Sequence, residues 1–265
     1  DGNLIYLYSN NLEEQYAYID AAKNKGYNVL LMDGQLDVAM VSMLEHKLEK
    51  CRFTRVDSDV IDRLIAKDEP KSEELANEKK DILSSVFRSQ LPTMNKVEFN
   101  VETQAMGENG APIMITQSEY MRRMKEMSHI QAGMSFYGEM PDMFNVVLNS
   151  DHKLVKQVLE DANSACSEEL LPIETSVAAL NFEQSEMQKK QQGMKYDEIP
   201  QADKDALSEV EKKLADEKSK KDAVLGKYAG GNKVIRQLID LALLQNNMLK
   251  GEALTNFVKR SIEMI

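Results

Sequence analysis

The sequence predicts a chain of mixed α/β and α+β class: a small βαβαβ layer with a parallel sheet, then a larger α+β domain. That second domain carries a short three-stranded sheet, a long helical insertion and a terminal helix pair. Three observations carry the prediction. Residues 1–60 alternate β-rich runs with helical periodicity. A highly charged stretch around Pro70 marks a boundary, and the last two helical segments hold the strongest apolar stripes of the chain.

In the first part, strands are expected at Leu4–Tyr8, Asn28–Met32 and Arg52–Val56, with helices near Glu13–Lys25 and Leu36–Leu48. Ser9 and Asn10 are placed to cap the first helix and Gly26 to close it, since glycine takes positive φ freely. Such units often bind nucleotides. Here the loop after the first strand is Ser9-Asn10-Asn11, with no glycine to let a phosphate approach the backbone. The domains are set at 1–67 and 68–265, with Lys67 to Glu74 as the charged joint.

The second domain starts with a helix near Glu73–Phe87, which Pro92 ends. Lys96–Thr103 and Pro112–Thr116 read as a hairpin-like strand pair around Gly107-Glu108-Asn109-Gly110, with Phe144–Leu148 as a third strand. Asp151 is the expected cap of a helix through Leu154, Val155, Val158 and Leu159.

Between these strands lies a methionine-rich segment, holding six of the chain's sixteen methionines from Tyr120 to Met143. Tyr120, Met124, Met127 and Met134 share one helical face, and Arg122, Arg123, Lys125, Glu126 and His129 take the other. An unbranched, polarizable stripe can re-pack around partners of different shape, so the face suits promiscuous binding. Filling an irregular core would use the same spacing.

From 162 to 231 the chain is dominated by Glu, Lys, Gln and Asp, with Leu207, Val210 and Leu214 as a thin stripe and Gly230-Gly231 at its end. Ion pairs four residues apart contribute only a few tenths of a kcal/mol each, about 0.2–0.5. Long helices that lean on something else are expected. The next helix carries Val234, Leu238, Leu241 and Met248 on one stripe and Ile235, Ile239, Ala242 and Leu243 on a neighbouring one. After Gly251, Leu254, Phe257, Val258, Ile262 and Ile265 form another amphipathic helix. Two such helices from each of two copies would make a four-helix interface; an intrachain hairpin laid on the second domain is the alternative.

A net charge of -11 and a pI near 5.0 argue against binding a nucleic-acid backbone or an anionic membrane. No apolar run approaches a membrane span, and Asp1-Gly2-Asn3 is not signal-like, so a cytoplasmic protein is expected. A start on Asp1, directly ahead of a strand, fits a piece of something longer. Cys51 and Cys166 are far apart and lack CxxC spacing, which makes reduced thiols the default. His46, His129 and His152 have no ligand-spaced neighbours, and there is no Walker motif or GxSxG elbow. No metal, no cofactor and no catalytic residue are therefore expected in these residues.

Several stretches resemble the ninety-kilodalton heat-shock chaperones, most closely their bacterial branch. Leu238-Ile239-Asp240-Leu241-Ala242-Leu243-Leu244, followed by Phe257-Val258-Lys259-Arg260, is similar to the family's terminal helix pair. Asn149-Ser150-Asp151-His152 resembles its Asn-Pro-Asp-His helix start, with Ser150 in place of proline. Gly26-Tyr27-Asn28-Val29-Leu30-Leu31-Met32 resembles the last α/β layer of the family's middle domain, and Tyr120-Met121-Arg122-Arg123-Met124-Lys125 sits where the family carries a client-contacting helix. The likeness covers roughly residues 1–160 and 232–265; the stretch 162–231 departs from it.

The resemblance implies the end of a middle domain plus a carboxy-terminal dimerisation domain of a stress-response chaperone. Its partners would be a second copy and unfolded or partly folded clients. Tyr120, Met121, Met124, Met127 and Met134 would contact the client; Val234, Leu238, Leu241, Ala242, Leu244, Leu254, Phe257, Val258 and Ile262 would form the dimer interface. ATP and Mg, and the family's catalytic arginine, would belong to parts of the parent ahead of Asp1. The rival reading is a small nucleotide-binding α/β enzyme with a helical regulatory domain.

Overall fold

A computed structural model describes residues 4–34, 36–65, 74–128, 135–193 and 198–264. The boundary expected between residues 67 and 68 lies outside the described residues. The first part is the expected parallel layer. β1 (Leu4–Ser9) is central, with β2 (Leu30–Leu31) and β3 (Cys51–Arg55) parallel on either side, and α1 (Tyr16–Asn24) and α2 (Asp37–Lys47) as crossovers. A short α3 (Ile61–Leu64) follows. Successive residues of β1 point to opposite faces, so each face needs its own cover. Leu7 packs with Tyr18, Ile19 and Ala22 of α1, whereas Tyr8 packs with Val41 of α2 and with Phe53.

Gly26 does close α1, at φ +80°, with Tyr27 N–H returning to Ala22 O at 3.0 Å. The expected caps Ser9 and Asn10 do not serve. Asn11 Oδ1 accepts from the amides of Glu13 and Glu14, both at 3.1 Å, and this turn delays the helix to Tyr16.

The second part opens with α4 (Asn77–Arg88), then β4 (Val97–Gln104), β5 (Ile113–Thr116), α5 (Glu119–Ser128), α6 (Ser135–Glu139) and β6 (Asp142–Asn149). The expected hairpin of the first two strands is not made. The sheet order is β4-β6-β5, with β6 parallel to β4 and antiparallel to β5. Val146, Val147 and Leu148 are essentially inaccessible, and a strand covered on both faces belongs in the middle of a sheet. Buried Asn149 keeps the outer strands apart by holding their connection: its Oδ1 accepts from Met106 N–H at 3.1 Å and its Nδ2 donates to Gly107 O at 2.9 Å. Asp151 is drawn into the same loop, accepting from Gly107 N–H at 2.9 Å, so His152 Nδ1 caps the next helix instead, at 3.2 Å from Leu154 N.

That helix, α7 (Lys153–Gln191), runs through residue 162 without a break, so the insertion starts inside a helix rather than at a boundary. With α8 (Gln201–Gly231) it forms a long hairpin, α7 alone extending about 58 Å at ~1.5 Å per residue. The base of the hairpin is fixed by Val155, Val158, Ala162, Cys166, Leu225 and Ala229, all within the main core around α4 and the second sheet. Gly230 and Gly231 stay helical; the chain turns at Asn232, whose Oδ1 accepts from Val234 N–H at 2.9 Å and caps α9 (Lys233–Gln245). α10 (Gly251–Glu263) completes the fold.

Candidate functional site

The methionine-rich helix α5 sits with Glu119, Arg122 and Arg123 directed inward. Glu119 and Arg122 are buried, whereas Tyr120 is 60% exposed and Met121 and Met124 are half-buried. Met134 and the side chain of Met127 lie outside the described residues. Among the described residues, no side chain of α5 belongs to any of the three apolar clusters. Of the methionine face, Tyr120 is exposed and Met124 is half-buried outside those clusters, while on the charged face Arg122 is buried.

What the charged face meets is the first sheet. Glu119 Oε1 accepts from Tyr8 Oη at 3.0 Å and from Arg122 Nη2 and Arg123 Nε, each at 2.7 Å. Arg123 Nη1 reaches Glu45 Oε2 of α2 at 2.7 Å, and its Nη2 donates to Phe53 O of β3 at 2.8 Å. Glu45 is itself held by Phe53 N–H, 2.7 Å from Oε1. Arg122 Nη2 also donates to Tyr8 Oη at 2.7 Å. Burial by itself would raise the Glu119 carboxyl, but the Arg122 and Arg123 guanidinium groups win and hold it below the usual range. Burial and the Glu119 charge push the Tyr8 hydroxyl the other way, up from its ordinary value, so it stays protonated as a donor. On the far side, Lys125 Nζ pairs with Asp142 at the start of β6, 2.6 Å away.

Sequence spacing could have found part of this. Glu119 stands three and four residues before Arg122 and Arg123, a helical ion-pair spacing. Glu45 and Tyr8 carry no such signal, because their partners on α5 lie 78 and 111 residues along the chain.

The terminal helices form an intrachain hairpin laid on the second domain. Lys233 pairs with Glu263 at 3.0 Å, Gln237 with Ser261 at 2.8 Å, and Arg260 with Asp240 at 2.5 Å. Leu238, Ala242 and Phe257, expected at a surface between copies, are buried in the chain's own core, because α9 packs directly over the second sheet and α10 over α9. Val234 and Leu254 are partly buried against that core. Leu241 at 45%, Leu244, Val258 and Ile262 at 68% keep large apolar groups exposed. Val234, Gln237, Leu241 and Leu244 fall at three- and four-residue steps, the spacing of a helix-pairing seam.

The loop after β1, where a nucleotide phosphate would sit, is filled by a side chain. Gln15 Oε1 accepts from Ser9 Oγ at 2.8 Å, Asn10 N at 3.1 Å and Asn11 N at 3.4 Å, which occupies the amides a phosphate needs. Among the described residues, no group of three or more His, Cys, Asp or Glu is arranged to hold a metal ion, and no helix is long and apolar enough to cross a membrane.

No family model matches the chain. It is, however, 68% identical over all 265 residues to the chaperone protein HtpG of Bacteroides fragilis and 66% identical to that of Bacteroides thetaiotaomicron. The chaperone protein HtpG of Porphyromonas gingivalis is 42% identical over the same 265 residues. In each case the whole chain is matched, and it spans 39% of the relative's length. The charged stretch 162–231 lies within these full-length matches, so it is shared with these relatives. Identity of this extent over all 265 residues means that the chain belongs to the HtpG family of chaperone proteins, within the ninety-kilodalton heat-shock group that its motifs resemble.

Proposed function

We propose that this chain is the part of its parent chaperone that holds unfolded or partly folded client proteins and pairs with a second copy. One observation carries the reading: α5 commits Glu119 and Arg122 to the interior and leaves the Tyr120 ring 60% exposed beside the half-buried Met121 and Met124. A flexible thioether surface with an exposed aromatic ring accepts many apolar sequences without demanding one shape. The relatives' description as chaperone proteins supports this use of the face. Pairing through Leu241, Leu244, Val258 and Ile262 would bring two such faces around a shared cleft. It would also tether two copies of whatever the parent carries elsewhere, making their docking nearly intramolecular. On this reading ATP binding and hydrolysis, with Mg, belong to parts of the parent outside these 265 residues, and the parent works in the cytoplasm.

The test is suppression of aggregation of a thermally unfolding reporter enzyme. Replacing Tyr120 and Met124 together with serine should weaken suppression severalfold while circular dichroism and oligomer mass stay unchanged. Undiminished suppression would remove α5 from the client surface.

A further inference from the structure

We propose that Glu45 and Glu119 are positioning residues: they latch α5 onto the α/β layer, so that presentation of its Tyr120 and methionine side depends on where that layer sits. The inference rests on the client-holding reading of that side.

Three observations support the latch. First, α5 is held to the α/β layer by ions, since among the described residues none of its side chains joins the two apolar clusters of that layer. Second, the attachment is one connected network in which Arg123 uses all three guanidinium nitrogens, on Glu119, Glu45 and the Phe53 carbonyl. Cutting one buried partner leaves the other charges uncompensated, so such a network releases as a unit rather than stretching. Third, the helix stands on two bodies: Glu119 and Arg123 grip the first sheet, while Lys125 grips Asp142 of the second. Displacement of one sheet against the other must break one of the two grips. The grip on the first sheet is also incompletely satisfied, because Arg122 Nε and Glu126 Oε2 are buried with no hydrogen-bond partner among the described residues. A latch of this kind would transmit a movement of the first layer to the client side without apolar packing shared with that layer.

Amide hydrogen exchange on the whole chain, combined with the aggregation assay, tests this. Glu45→Gln keeps an acceptor for Phe53 N–H and removes only the charge, whereas Glu45→Asp keeps the charge on a shorter stem. Glu45→Gln should raise exchange over residues 119–128 by about tenfold, leave β4 and β6 protected, and change client suppression; Glu45→Asp should do less of both. Unchanged exchange in Glu45→Gln would overturn the latch. Faster exchange with unchanged suppression would overturn its link to client holding. If the unaltered chain suppresses nothing, the functional reading fails and the positioning role with it, while exchange still reports whether the ionic attachment exists.

Discussion

The hydroxyl of Tyr18 lies 2.8 Å from Oδ1 of Asn246, a residue 228 positions later, and it also bonds the carbonyl of Ile115. One side chain on α1 thereby touches both β5 and the end of α9. The small layer is keyed to the second domain at its sheet and at its terminal helices together.

Tyr18→Phe should therefore cost about 1–3 kcal/mol, because it removes the one O–H donor shared by the Ile115 carbonyl and the half-buried Asn246 amide oxygen. Urea unfolding checks this, with a loss below a few tenths of a kcal/mol against it. The pH dependence follows from burial, which raises the Tyr18 hydroxyl well above its ordinary 10.0. With the folded value above the unfolded one, stability from this group is intact below pH 10 and declines as pH rises beyond it, a decline Tyr18→Phe should lack.

Leu148 is fully buried at the middle of the second sheet. Leu148→Ala should destabilise the chain by about 2–5 kcal/mol, through lost burial and the cavity left behind. Calorimetry or denaturant titration reads the effect.

Leu241→Ser with Ile262→Ser removes exposed apolar groups without touching the core. Light scattering at micromolar concentration should show a fall from paired to single-chain mass, with helix content kept. A single-chain mass for the unaltered protein would end the pairing proposal.

His152 caps α7 through an unprotonated Nδ1, so His152→Ala should cost roughly 0.5–2 kcal/mol. Partial burial, and then the neighbouring Lys153 charge, lower its pKa below the ordinary 6.5. The neutral form is favoured on folding: the contribution is present above pH 6.5 and is lost as pH falls through the lower folded value. Thermal melts across mildly acidic pH should show this slope in the unaltered chain and not in the variant.

The parallel layer was legible because its strands and helices each carry a period that local residues set, and Gly26 closes α1 as its backbone freedom allows. The order of the second sheet was not. Gly107 to Gly110 looks like a turn, and nothing near it reveals that Asn149 will occupy the connection and admit β6 between the strands. The helical character of 162–231 was visible, while its seamless start within α7 was hidden by the change in composition. At the candidate site, the two sides of α5 were readable from spacing, but the docking of Glu119 and Arg123 on the first layer depends on Tyr8 and Glu45, contacts of long sequence separation.

The central position of β6 has a consequence for synthesis. A nascent chain that has emerged only as far as Pro141 carries β4 and β5 complete, yet both lack the neighbour that satisfies their backbone groups. The stretch 105–141 must loop back before the parallel pairing of β4 with β6 can close, a slow step for non-local strands. Until Asn149 leaves the ribosome, this member of a chaperone family has open sheet edges of its own that need shielding.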